Sequence, residues 1–173
     1  MMLPLFRRNR QPDTISSLYG MIVAQARMPV FYREYGVPDT IAGRFDLLLM
    51  HLALVVERLM REEPAKAFGQ ALFDRFCTDM DDNLREMGIG DQVVPKRMRA
   101  FGEAFYGRSM AYDQALGAGG EALASAIAKN ILNGTEPGRA RRLAAYAMAV
   151  EAGLGRTDEA TLLRGSFAFP AAA

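Results

Sequence analysis

A chain of 173 residues, half of them apolar and with a net charge of +1, is long enough to bury roughly 70% of its unfolded surface within one domain. One cysteine, Cys77, and one histidine, His51, exclude a disulfide framework and a four-ligand structural zinc site, so a reducing compartment is the expected setting. The apolar run from Leu47 to Val56 is interrupted by His51 and flanked by charges. It falls short of the ~20 residues of a bilayer span and reads as a core helix.

The opening MMLPLFRRNR places Arg7, Arg8 and Arg10 after a short apolar start. This is the reverse of a secretory signal, so export is not expected. Met1, Leu3, Leu5 and Phe6 beside those arginines offer contact with an anionic membrane surface, against the plainer expectation of a frayed terminus. Helical periodicity then dominates and no run alternates as a strand would, which predicts an all-α fold, a single compact helical domain of about six to seven helices. Residues 1–30 carry the first helix as part of that domain, 31–165 its body, and 166–173 an irregular tail.

Asp13 or Thr14 caps a first helix through about Arg27, and Pro29 and Pro38 bracket an irregular connector. Asp39 or Thr40 caps a second helix to about Arg61, apolar nearly all round and therefore central. Pro64 opens a third, in which Phe68, Leu72, Phe76, Met80 and Leu84 recur every four residues until Gly88 ends it. Pro95 opens a fourth with Met98, Phe101, Phe105, Tyr112 and Leu116 on one stripe, broken by Gly117, Gly119 and Gly120. A fifth helix reaches about Ile131. After the Asn133–Gly134 turn, Thr135 caps a sixth through about Ala152, and Thr157 caps a short seventh. No internal repeat argues for a solenoid.

The third helix closes with Asp79, Asp81, Asp82 and Glu86, and the fourth begins with Lys96, Arg97 and Arg99. Both sets oppose the helix dipole, each charge costing about 0.3–1 kcal/mol when exposed. The favoured reading is a clasp in which the two sets pair across the Gly88–Val94 connection. The functional reading is a bipolar docking surface: Gly88 and Gly90 shape its loop, Asp91 ties the loop to the next helix, and Lys96 and Arg97, following Pro95, meet an anionic partner.

Asp81, Asp82 and Glu86 have the D-D-x-x-x-E spacing of the magnesium-binding motif of prenyl-transferring enzymes. No second acidic motif completes such a site, and a solvated face is the preferred reading. From Asp79 the D-x-D-x-N pattern lacks the glycine and glutamate of a calcium loop, where Leu84 and Gly90 stand. Gly117, Gly119 and Ala122 imitate a dinucleotide fingerprint but follow a helix rather than a strand. His51 and Cys77 sit in apolar stripes and read as core. Arg108, between Phe105 and Tyr112, demands a carboxylate if buried, with Asp74 and Asp113 as candidates. The chain has 11 methionines; Met80, Met87, Met98 and Met110 surround the connection and are read as core filling ahead of a flexible client groove.

The segments GRFDLLLMHL (43–52), LFDRF and DMDDNLREMGIGD through Asp91, VPKR (94–97), AFYGR and AYDQAL through Leu116 together resemble the ubiquinol–cytochrome c chaperone family over about Phe31 to Leu132. The resemblance implies a compact bacterial-type, non-enzymatic assembly factor for respiratory complex III. Such a factor engages newly made cytochrome b or another complex III component, without a cofactor and without DNA. In mitochondrial members the task involves a small partner protein and the ribosome's exit region, so the ribosome and a membrane surface are further expected partners. The expected location is cytoplasmic, peripheral to the inner face of the membrane. A binding module must present a patch, for which the Gly88–Arg97 connection and the face around Phe105, Tyr106, Arg108 and Tyr112 are the candidates. The alternatives are a general α-helical protein-interaction module and a magnesium-dependent prenyl-diphosphate-type enzyme.

Overall fold

The computed structural model describes residues 11–134 and 137–172, with side chains from Asp13 onward. The N-terminal membrane contact and the Thr135 cap fall outside the described residues. Within them the fold is all-α, as expected: α1 (Gln11–Ala26), α2 (Pro29–Arg33), α3 (Ile41–Met60), α4 (Ala65–Glu86), α5 (Val94–Ala118), α6 (Gly120–Asn130), α7 (Pro137–Arg156) and α8 (Glu159–Leu163).

α3 is the axis of the core. Thr40, not Asp39, caps it, its hydroxyl accepting from the Gly43 amide at 3.1 Å. An unbroken run from Leu49 to Val56 is buried, because α1, α4, α5 and α7 all pack on this one helix. α1 contributes Ile15, Leu18, Ile22 and Ala26, spaced three and four apart on one face. A four-residue spacing overshoots the 3.6-residue turn by about 40° per step, so the α4 stripe drifts. Phe68, Leu72 and Phe76 are buried, Met80 sits at the edge of the core, and Leu84 is buried again.

Three local expectations are corrected. The connector between the prolines holds α2, which Pro29 opens at its first turn and whose Phe31 is buried. Asp158, not Thr157, caps α8, its carboxylate accepting from the Thr161 amide at 3.0 Å; the Thr157 hydroxyl instead donates back to the Gly153 carbonyl. The described segment after α8 carries no further helix and is packed, with Phe167 buried and the Phe169 ring edge-on to His51 at 5.4 Å. Among the described residues no helix is long and apolar enough to cross a membrane.

Candidate functional site

Side chains with chemical potential are mostly committed to the fold. His51 is fully buried with both ring nitrogens engaged, and burial lowers its pKa to about 4. It is a core histidine, as expected. Cys77 is half-buried on α4, where burial and then the Asp74 charge push its thiol up, away from reactivity. No group of His, Cys, Asp and Glu able to hold a metal occurs among the described residues. Within the D-D-x-x-x-E segment, Asp81 is bound by Arg85 of its own helix.

The clasp is built differently from expectation. Arg85 stands one turn after Asp81 on α4. It pairs with Asp81 at 2.6 Å and reaches across the connection to Asp91. Lys96, Arg97 and Arg99 are exposed and form no ion pair among the described residues, while the Asp79 carboxylate accepts from the Tyr19 hydroxyl of α1 at 2.8 Å. The α5 cations lie on the far side of a turn that a cation within α4 already neutralises.

Arg108 does find a carboxylate, but it is Asp46 of α3 at 2.6 Å. Asp113 is exposed, and Asp74 is exposed and accepts from Gln70. Of the other residues expected at a partner surface, Phe105 and Tyr112 are 2% exposed, with Phe105 stacked on Phe73 at 4.7 Å, and belong to the core. Helical spacing explains this: seven residues apart, the two rings share the α5 face that meets α3 and α4. Tyr106, next to Phe105, points outward at 57% exposure. Gly88, Gly90, Asp91, Pro95, Lys96 and Arg97 are all exposed. The methionines divide, with Met87 and Met110 exposed and Met80 and Met98 half-buried, so core filling does not account for all of them.

The exposed connection borders an apolar feature to which Met80 and Met87, two of the four methionines weighed as a client groove, contribute. α1, α3, α4 and α5 leave between them an open groove of about 640 Å³. Its floor includes Phe45, Leu48, Met80 and Phe101, with the Phe45 and Phe101 rings 5.0 Å apart. Ile41 and Met87 stand at its lips, 83% and 68% exposed. Arg27, Arg44 and Asp79 line it as well; Arg44 is held by Asp39 at 2.7 Å, whereas Arg27 forms no ion pair among the described residues. Phe101 is the residue through which α5 lines the groove; Arg97, one turn before it, does not line it. An apolar floor with charged edges has the chemistry to receive an apolar segment. Its traces in the sequence are those two methionines, Met80 and Met87, and Ile41, a large apolar residue directly after a helix cap.

The family model of the ubiquinol-cytochrome C chaperone matches residues 33–169. The crystal structure of the Cbp3 homolog from Brucella abortus is similar to this chain with a TM-score of 0.88 and 38% identity, covering 99% of this chain and 98% of that one. A search of curated proteins finds no match. With the match extending from the end of α2 to beyond α8, the chain belongs to the ubiquinol-cytochrome C chaperone family.

Proposed function

We propose that this chain is a non-enzymatic assembly factor for the ubiquinol–cytochrome c reductase complex that binds newly made cytochrome b. The observation that carries the proposal is the family match over residues 33–169. The physical character of the surface supports it: a factor that holds an unassembled membrane subunit needs apolar area open to a client and no catalytic group. The groove supplies the first. In this reading the chain works at the cytoplasmic face of the membrane, where the client inserts. The exposed part of the expected surface, Gly88, Gly90, Asp91, Pro95, Lys96, Arg97 and Tyr106, is its proposed contact area.

The test is crosslinking in the native cells, then purification of this chain and mass spectrometry of its partners, in parallel with the Lys96→Ala, Arg97→Ala double variant. Recovery of cytochrome b with the natural chain, and its loss with the folded variant, is the expected result. Reproducible enrichment of other proteins without cytochrome b would leave a general helical interaction module as the better reading.

A further inference from the structure

We infer that residues 166–172, the segment that follows α8, are a releasable strap, and that the place its two phenylalanines hold against His51 is a site for an extended segment with an aromatic-x-aromatic-proline pattern. The inference does not rest on the assembly role.

How the segment is held is the first argument. α8 is closed without it: the Gly165 amide donates to the Leu162 carbonyl at 2.8 Å and the Ser166 amide to the Thr161 carbonyl at 3.1 Å, with Gly165 turning the chain at φ +65°. From Phe167 to Ala172 no hydrogen bond is formed among the described residues. Attachment is apolar, with Phe167 buried and Phe169 and Ala172 packed against the core. Apolar burial is not directional. The segment can therefore leave as a unit about Ser166 without breaking a backbone bond of the helical body.

What lies beneath keeps its own order. The Phe169 ring stands edge-on to His51 at 5.4 Å. His51 is fixed from elsewhere, by the Leu47 carbonyl at 2.8 Å and the Tyr146 hydroxyl at 3.0 Å, and Phe31 packs on both His51 and Tyr146, at 5.4 and 4.9 Å. None of these contacts passes through the strap, so its departure bares an aromatic seat that is already built. The strap's own sequence then defines the ligand. Pro170 confines Phe169 to extended backbone, in which side chains two residues apart share a face. The Phe167 and Phe169 rings accordingly lie 4.7 Å apart, with Ala168 between them exposed. Another extended segment with aromatics in this register offers the same rings and displaces no hydrogen bond.

Because the chain has no tryptophan, Phe169→Trp places a single indole in the strap of the full chain. Its emission should shift to the red at urea concentrations that leave the helical circular dichroism unchanged. An emission change that coincides with helix loss overturns the strap. A fluorescein-labelled peptide of residues 166–172 is then titrated by anisotropy into the natural chain and into the full-length double variant Phe167→Ser, Phe169→Ser, whose strap has lost its anchors. The double variant should keep a cooperative helical melt and bind the peptide about tenfold tighter than the natural chain, where the strap competes for the seat. The same peptide with serine for both phenylalanines should bind neither protein. Equal affinity for the two proteins, no binding by the double variant, binding of the serine peptide, or a double variant that does not fold each overturns the inference.

Discussion

The hydroxyl of Tyr146 on α7 lies 3.0 Å from Nε2 of His51 on α3, closing a buried polar chain. The Leu47 carbonyl, 2.8 Å from Nδ1, can only accept, so Nδ1 carries the proton and Nε2 accepts from Tyr146. Tyr146 in turn accepts from the Gln25 amide at 2.9 Å. Burial depresses the His51 pKa to about 4, the bond to Leu47 acting in the opposite sense. In the unfolded chain the imidazole titrates near 6.5, so between these values the unfolded state binds the extra proton. The contribution is complete above about pH 6.5 and lost as pH falls to about 4, a change of about 3 kcal/mol. Urea midpoints should drop between about pH 7 and pH 4.5 in the natural chain and drop distinctly less in His51→Phe. Parallel curves would assign the acid sensitivity to other groups.

Arg108 and Asp46 tie α5 to α3 at 2.6 Å with both side chains largely shielded from solvent. The Arg108 Nε is buried without a partner, so the guanidinium depends on this one carboxylate. Asp46→Asn strands the charge and should cost about 2–3 kcal/mol, whereas adding Arg108→Met should recover part of the loss. A double-mutant cycle by chemical denaturation reads the coupling. Asp113→Asn, at a partner the sequence suggested, should stay within about 0.5 kcal/mol of the natural chain.

That pair marks where sequence reading stops. Arg108 stands in an apolar stripe, so its need for a carboxylate was legible, but choosing Asp46, 62 positions away, requires knowing which face of α3 meets α5. Prolines and glycines are local signals, which is why Pro64, Gly88 and Pro95 mark element ends close to those observed. α2 escaped because five residues are too few to show a period. Phe105 and Tyr112 fit both the core stripe and a surface; the stripe is the better guide, since period decides which way a helical side chain faces. The groove is legible only in part: the methionines point to Met80 and Met87, but Phe45, Leu48 and Phe101 carry the same apolar pattern as the core, and only the packing of four helices leaves them open.

Gly43, the first residue of GRFDLLLMHL, has a steric reason to be glycine. A Cβ there would stand 2.1 Å from the Pro38 carbonyl oxygen, and the Gly43 amide is already fixed by the Thr40 cap. Backbone on both sides has to move to admit a methyl group, so Gly43→Ala should lose about 2–4 kcal/mol. Gly20 in α1 has nothing within 4 Å of its added Cβ, and Gly20→Ala should gain about 0.5–1 kcal/mol from helix propensity. Thermal melts of the two variants should therefore shift in opposite directions, and a stable Gly43→Ala would mean the 38–43 segment yields easily.

The α4–α5 connection holds its shape by two devices that separate experimentally. Gly88 has φ +78° and closes α4 with the Ile89 amide donating to the Leu84 carbonyl at 3.0 Å and its own amide donating to Arg85 at 2.9 Å. An L side chain is strained at that φ, so Gly88→Ala should cost about 1 kcal/mol. Gly90, with open space around it and no positive φ, should tolerate alanine within about 0.5 kcal/mol. Arg85, reaching both Asp81 and Asp91, is solvent-exposed and acts locally, because exposed ion pairs are screened by water and salt. Arg85→Gln should leave the melting temperature nearly unchanged while amides of residues 88–92 exchange hydrogen faster. High salt should produce the same acceleration in the natural chain and none in the variant. Unchanged exchange in Arg85→Gln would place the order of this loop in the Gly88 cap alone.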